Sequence, residues 1–126
     1  MKTKYLIENS DDWNCVIEID HDFKTIYDNK EYSVEDLMKE MILFFTGGED
    51  RIKRNDGNII ETFLKQLAES IYHLCSENSL YSVKSLIDDF ENMEGYCKMD
   101  GSMGIKIISA DDFPFNIDFS ITKLID

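Results

Sequence analysis

The N-terminal part of the chain contains two segments in which apolar and polar side chains alternate. Strands are predicted over Tyr5 to Glu8 and Trp13 to Asp20, because a period of two places one set of side chains on a single face of a strand. The intervening Asn9-Ser10-Asp11-Asp12 is typical of a turn, so an N-terminal β-hairpin is predicted. The apolar face of the second strand consists of Trp13, Cys15, Ile17 and Ile19.

Helical spacing of apolar residues begins further along. A first helix is predicted from Val34 to Phe45, because Ser33-Val34-Glu35-Asp36 resembles a capping box and apolar residues recur every three or four positions. Gly47-Gly48 ends this pattern. Residues 49–57 are polar and of mixed charge, with Asn55-Asp56-Gly57 as a turn signal, so no regular element is predicted there.

Two more amphipathic helices are predicted in the second half of the chain. One follows Asn58, a candidate N-cap, and the other begins after Asn78-Ser79 and ends at Gly95. Their apolar stripes are Ile60, Phe63, Leu64, Leu67, Ile71, Leu74 and Cys75, and Val83, Leu86, Ile87, Phe90 and Met93. The outer face of the last helix carries the densest acidic helix surface: Asp88, Asp89, Glu91 and Glu94.

Two C-terminal strands complete the predicted fold. Ile105 to Ser109 is followed by a turn at residues 110–112 and by a strand from Phe113 to Thr122 with strict alternation. The order β-β-α-α-α-β-β predicts an α+β fold, with a four-stranded, largely antiparallel sheet and helices packed on one face. A single domain is expected over residues 1–126.

Composition and charge narrow the range of functions. Hydrophobic residues make up 43% of the chain, which is typical of a globular protein. The net charge is −13, from 26 acidic and 13 basic residues, so direct binding to nucleic-acid phosphates is disfavoured. An ordinary solvated surface and an acidic mimic of nucleic acid are both compatible with this charge.

A cytoplasmic protein is expected. The longest apolar run, Met41 to Phe45, is far shorter than the roughly 18 residues that span a bilayer, and acidic residues interrupt any candidate signal peptide. The three cysteines, Cys15, Cys75 and Cys97, lack metal-binding or CxxC spacing and are interpreted as reduced thiols, Cys15 and Cys75 in apolar-periodic positions.

Three short segments together carry a family resemblance. They are Glu18-Ile19-Asp20-His21-Asp22, Phe44-Phe45-Thr46-Gly47-Gly48-Glu49-Asp50-Arg51 and Met99-Asp100-Gly101-Ser102-Met103-Gly104-Ile105. Over roughly residues 13–108 the chain resembles a family of small bacterial and phage-associated proteins catalogued as a domain of unknown function. The resemblance implies a stand-alone domain from a bacterium or mobile element, and it implies no activity, ligand or functional residue.

Asp20-His21-Asp22 is the strongest candidate for metal binding or acid–base chemistry. Strand alternation places both carboxylates on one face and His21 on the other, so the three converge only if the strand ends there. His73 has no HxxxH or HExxH partner and is interpreted as a surface or boundary residue. No catalytic, cofactor-binding or metal-binding residue is therefore assigned.

Other patterns also lack a required residue. An EF-hand calcium loop around Asp50, Asn55, Asp56 and Gly57 would require a carboxylate five positions before the glycine, where this chain has Ile52. The segment 100–104 has no GKS or GKT sequence and precedes a strand, whereas a phosphate cradle precedes a helix. Neither Ser102 nor Ser109 lies in a G-x-S-x-G elbow.

Three hypotheses of function remain. The favoured one is a non-enzymatic protein-interaction module that binds an unidentified protein or forms a homodimer. The second is an acidic inhibitor or DNA mimic from a phage or mobile element. The third is an enzyme of unfamiliar type that uses residues 20–22 and the loop 99–104, which would need a pocket of about 300 Å³ or more lined by these residues.

Overall fold

The computed structural model describes residues 1–9, 13–77, 82–110 and 119–124. Its strands are β1 (Lys2–Asn9), β2 (Asn14–Asp20), β3 (Lys24–Tyr27), β4 (Lys30–Ser33), β5 (Ile105–Ala110) and β6 (Phe119–Leu124). Its helices are α1 (Val34–Phe44), α2 (Gly48–Arg54), α3 (Ile59–Glu77) and α4 (Val83–Glu91). The predicted turns at residues 10–12 and 111–112, the break at Asn78-Ser79 and the predicted strand residues 113–118 lie outside the described residues.

The main sheet joins the N-terminal and C-terminal strands in the order β5-β2-β1-β6. All three pairings are antiparallel, which confirms the predicted four-stranded antiparallel sheet. In the centre, Ile7 faces Cys15 on β2 and Ile121 on β6. The β2–β5 register shifts between Val16 and Ile17.

The inner face of this sheet is the apolar face that alternation predicts. Odd-numbered positions of β1, β2 and β5 supply the buried residues Ile7, Cys15, Ile17, Ile19, Ile105 and Ile107. The helices pack on this side, with α3 against β1 and β6 and α4 against β5. On the outer face, Glu18 stands between Lys4 and Lys106 in cross-strand register, and opposite charges placed in this way favour the pairing.

The capping residues predicted for the helices are largely confirmed. Ser33 and Asp36 form a reciprocal capping box at α1, with the Asp36 N–H donating to Ser33 Oγ at 3.1 Å and the Ser33 N–H donating to Asp36 Oδ2 at 3.0 Å. Asn58 Oδ1 accepts a hydrogen bond from the Glu61 N–H at 2.9 Å, at the start of α3. The cap of α4 is Ser82.

Two elements were missed in the sequence analysis. The first is the β3–β4 hairpin, whose four-residue strands show no clear alternation and meet at Asp28-Asn29, both with positive φ angles (53° and 61°). The second is α2, a seven-residue helix in the segment interpreted as irregular. Gly47-Gly48 was predicted to end α1, but the helix ends at Phe44 with the extended Phe45 as its C-cap, and Gly47 is the N-cap of α2. The last helix is shorter than predicted, because α4 ends at Glu91 and a turn precedes Gly95.

One hydrophobic cluster lies between the sheet and the helices. Its largest fully buried side chains include Phe63, Phe90, Met38 and Met99. Cys15 is fully buried, as predicted, and Cys97 is half-buried. Of the helices that the structure describes, none has both the length and the apolar character needed to cross a bilayer.

Candidate functional site

The candidate residues Asp20, His21 and Asp22 lie where β2 ends. Asp20 is the last residue of the strand, and the next two residues form a turn. The Asp20 N–H donates a 2.8 Å hydrogen bond to the carbonyl oxygen of Gly104. Two of the three segments that carry the family resemblance therefore meet at this corner of the sheet.

The three side chains of this turn do not converge on one point. His21 Nε2 lies 3.0 Å from the hydroxyl oxygen of Tyr5. The carboxylates of Asp20 and Asp22 both contact the amino group of Met1 instead. The imidazole and the carboxylates thus have separate partners, even though the strand ends at Asp20 and strand alternation does not apply to residues 21 and 22.

A small cleft of about 180 Å³ opens beside Asp20. The Asp100 carboxylate on its wall accepts hydrogen bonds from the Ser102 hydroxyl and N–H, at 2.6 and 2.9 Å, and these hydrogen bonds lower the pKa of Asp100. The cleft is smaller than the roughly 300 Å³ of a typical small-molecule site. Its charged lining residues are Glu18, Asp20 and Asp100 with Lys2 and Lys106. The small volume and the internal hydrogen bonds of Asp100 and Ser102 indicate a structural turn and not a ligand site.

Metal-ligating side chains are scattered over the described part of the chain. Within that part, no group of three or more His, Cys, Asp or Glu residues is placed to hold a metal ion. His73 is exposed on α3, as predicted, and its Nε2 lies 3.9 Å from Oε1 of Glu69 one turn earlier. The sequence-based expectation that the protein is not an enzyme and binds no cofactor stays a prediction.

A polar network that the sequence did not reveal is centred on Arg51. Its Nη1 donates to the carbonyl oxygen of Thr46 at 2.9 Å, and its Nη2 donates to the carbonyl oxygen of Ile42 at 3.3 Å. These acceptors lie at the end of α1, where carbonyl groups lack helical partners and the helix dipole is negative. The buried Nε has no hydrogen-bond partner among the described residues. Arg51 therefore acts as a side-chain cap for the C-terminus of α1.

Gln66 extends this network into the protein interior. Its Oε1 accepts from Arg51 Nη2 at 3.1 Å, and its Nε2 donates to the Met41 carbonyl at 3.3 Å and to the Tyr96 hydroxyl at 3.4 Å. The Tyr96 hydroxyl also lies 2.7 Å from Ser70 Oγ, and burial raises the pKa of Tyr96. The network joins α1, α2 and α3 to the segment after α4. Its burial among aromatic rings indicates a structural role.

The last turn of α1 exposes two apolar side chains. Leu43 is 40% exposed and Phe44 is 57% exposed, and no basic residue occupies this turn. The Phe44 ring meets the Phe45 ring edge-on, with 5.1 Å between centroids. It also lies so close to Gly95 that a Cβ atom at Gly95 would be 2.7 Å from Cε1 of Phe44. The exposed ring is thus held in place from two sides.

A groove of about 390 Å³ lies beside Leu43. Leu43 and Phe45 supply its apolar wall, and Glu49 and Asp50 supply two carboxylates. We call the surface formed by Leu43, Phe44, Phe45, Glu49 and Asp50 the Phe44 surface. It combines exposed apolar area with negative charge.

Comparison with known proteins identifies the family. A family model described as a protein of unknown function (DUF2528) matches residues 14–120. The chain belongs to this family. The DUF2528 match contains all three segments on which the resemblance was based, so the expected relationship to a domain of unknown function is confirmed. No curated protein and no solved structure shows a significant match.

Within the DUF2528 match, residues 44–51 form the segment whose residue types the structure explains most fully. Gly47 has a φ angle of 82°, and a Cβ atom at Gly48 would lie 2.9 Å from the carbonyl carbon of Ile42. The same segment supplies Arg51 and most of the Phe44 surface. One signal could have revealed that surface, because the five apolar residues from Met41 to Phe45 exceed what one helical stripe can bury.

Proposed function

We propose that this DUF2528 protein is a non-enzymatic protein-interaction module that binds a basic partner through the Phe44 surface. The observation that carries the proposal is the exposed Leu43–Phe44 pair at the end of α1, where Leu43 lines the same groove as Glu49 and Asp50. Exposed aromatic residues are enriched among the anchors of protein interfaces. The charge of −13 favours attraction to a positively charged surface.

The position of Phe44 supports this role. Its contacts with Phe45 and Gly95 restrict the ring in the free protein, so binding costs less side-chain entropy than it would for a mobile ring. The carboxylates of Glu49 and Asp50 make no ion pair with another described residue. They are therefore available to Lys or Arg side chains of a partner.

The same features argue against a complex between two copies of the chain. Each copy would bring the same two carboxylates and a charge of −13 to the interface, and like charges brought together are unfavourable. The partner that fits is a basic protein segment with an apolar residue to contact Phe44. A nucleic-acid-binding protein is one kind of protein with such a surface.

The first experiment compares the proteins retained from a lysate of the source cell by the wild-type chain, Phe44→Ala and Tyr27→Ala. Tyr27 is a matched control, because it is an exposed aromatic residue (74%) on the separate β3–β4 hairpin. We expect one partner to be lost with Phe44→Ala and kept with Tyr27→Ala, with about a tenfold difference in affinity once the complex is purified. Equal retention by both variants would contradict the proposed surface.

The second experiment tests the charge. Glu49→Gln with Asp50→Asn should weaken binding at low salt and flatten its salt dependence, whereas Asp88→Asn with Asp89→Asn on α4 should change both less. Competition by duplex DNA for the partner would identify a nucleic-acid-binding protein and support the mimic hypothesis. A partner that binds all variants equally at every salt concentration would exclude electrostatic recognition by this surface.

A further inference from the structure

A larger cleft lies between the start of α3 and strands β1 and β6. Its volume is about 550 Å³, within the range of small-molecule sites. The sheet contributes Tyr5, Ser120, Ile121 and Lys123, and the start of α3 contributes Asn58, Ile60, Glu61, Leu64 and Lys65. None of these residues belongs to the Phe44 surface.

The deeper part of the cleft is apolar. Leu64 is fully buried, and Ile60 and Ile121 are partly buried against the core. The Tyr5 ring is also partly buried, and its hydroxyl is already paired with His21 Nε2 at 3.0 Å. An apolar group of a ligand would therefore contact hydrocarbon without displacing a hydrogen bond.

Lys123 faces the same cleft from β6. It stands directly across from Tyr5 in the β1–β6 register, so it lies on the inner face of the sheet, where β1 and β2 place apolar residues. No described residue forms a hydrogen bond or an ion pair with its ammonium group. The Lys123 side chain is exposed, and within the described ranges no carboxylate compensates its charge beside the apolar residues of the cleft.

The other charges of the cleft are already paired. Lys65 Nζ lies 3.0 Å from Glu61 Oε1 and donates to Asn55 Oδ1 at 3.0 Å. Glu61 is the single carboxylate among the lining residues, and its partner is Lys65. Lys123 therefore determines which charge on a ligand is favoured.

We propose that this cleft binds a small amphipathic carboxylate, with its apolar tail against Leu64 and Ile121 and its carboxylate at Lys123. This inference is independent of the proposed interaction through the Phe44 surface. The alternative role of Lys123 is to protect the edge of the sheet, since inward-pointing charges on edge strands discourage pairing with other chains.

The test is a titration of the ¹⁵N-labelled protein with octanoate, followed by NMR. Acetate provides the carboxylate without the tail, and octylammonium provides the tail with the opposite charge. We expect saturable shifts of the amide signals of Ile60, Leu64 and Ile121 with octanoate, and about tenfold weaker binding or none with either comparison compound. Equal binding of octylammonium, or no saturable shift at these residues, would overturn the proposal and leave edge protection as the role of Lys123.

The matched variants are Lys123→Gln and Lys84→Gln. Both remove one positive charge and leave a polar side chain that is one atom shorter, but Lys84 is exposed on α4, away from the cleft lining. Octanoate affinity should fall about tenfold in Lys123→Gln and stay unchanged in Lys84→Gln. Equal affinities of the two variants, both giving spectra of a folded protein, would refute the role assigned to Lys123.

Discussion

The Phe44 ring lies against Gly95, in space that any other residue at position 95 would need. A Cβ atom there would be 2.7 Å from Cε1 of Phe44 and 2.9 Å from Cζ of Phe45. Gly95 also has a φ angle of 91°, which L-residues rarely adopt. The positions of the Phe44 and Phe45 rings therefore depend on the backbone at Gly95.

Replacing Gly95 with alanine should destabilise the fold for two reasons, backbone strain and a steric clash with both rings. We expect the free energy of unfolding to fall by about 2–4 kcal/mol, measured by urea denaturation.

Gly57→Ala is the matched control for this substitution. Gly57 has a φ angle of 80°, but its added Cβ would meet no atom within 4 Å. Its loss should be about 1 kcal/mol, from backbone strain alone. Equal losses in the two variants would show that the contact with Phe44 adds nothing.

Arg51→Ala should remove the side-chain cap of α1 and leave Gln66 Oε1 without one of its donors. We expect a loss of about 1–3 kcal/mol in the free energy of unfolding, because partly buried carbonyl and amide groups lose their partners. Arg54→Ala is the control, since Arg54 is exposed at the end of the same helix. A loss in Arg54→Ala as large as that in Arg51→Ala would contradict the capping role.

The capping box of α1 should make stability depend on pH. Hydrogen bonds from the N–H and hydroxyl of Ser33 lower the pKa of Asp36 below its ordinary value of 3.8. A carboxyl group whose folded-state pKa is lowered contributes stability above its unfolded pKa and loses that contribution as the pH falls through the folded value. The difference in urea midpoint between wild type and Asp36→Asn should therefore be present at pH 7 and shrink below about pH 4.

Ser33→Ala tests the other half of the box. It should cost about 1 kcal/mol at pH 7 and should reduce the dependence of stability on Asp36 protonation. A pH profile for Ser33→Ala identical in shape to that of wild type would mean that Asp36 does not depend on the cap.

Local periodicity was sufficient to predict the main sheet, because burial on one face requires strict alternation. Ile17 and Ile19 are buried as their spacing indicated, and Ser33 begins α1 as the capping pattern indicated. The β3–β4 hairpin was missed because it projects Ile26 and Tyr27 into solvent, so burial imposes no alternating pattern on its strands. Short strands of this kind depend mainly on their turn, here Asp28-Asn29.

The candidate sites depended on contacts between residues distant in sequence. Arg51 meets Gln66 across 15 positions, and Gln66 meets Tyr96 across 30. No local pattern encodes these distances, because they arise from the packing of α3 against α1 and α2. The corner at Asp20 was visible from its residue types, but the pairing of His21 with Tyr5 depends on the register of β1 and β2.

The reactivity of the Cys97 thiol tests how strongly burial affects the residue that follows Tyr96. Burial, with a smaller contribution from the charge of Asp100, raises the pKa of the Cys97 thiol to about 11 from an ordinary 9.0. The reactive thiolate should be about a hundredfold scarcer at pH 8, and its greater intrinsic nucleophilicity offsets part of this, so alkylation should be about tenfold slower than for an unhindered thiol. Peptide-resolved mass spectrometry after iodoacetamide treatment would measure this rate separately from those of Cys15 and Cys75. The rate should keep rising through pH 10 in the native protein and approach that of a free thiol in urea, whereas a plateau near pH 9 in the native protein would mean that burial does not raise the pKa of Cys97.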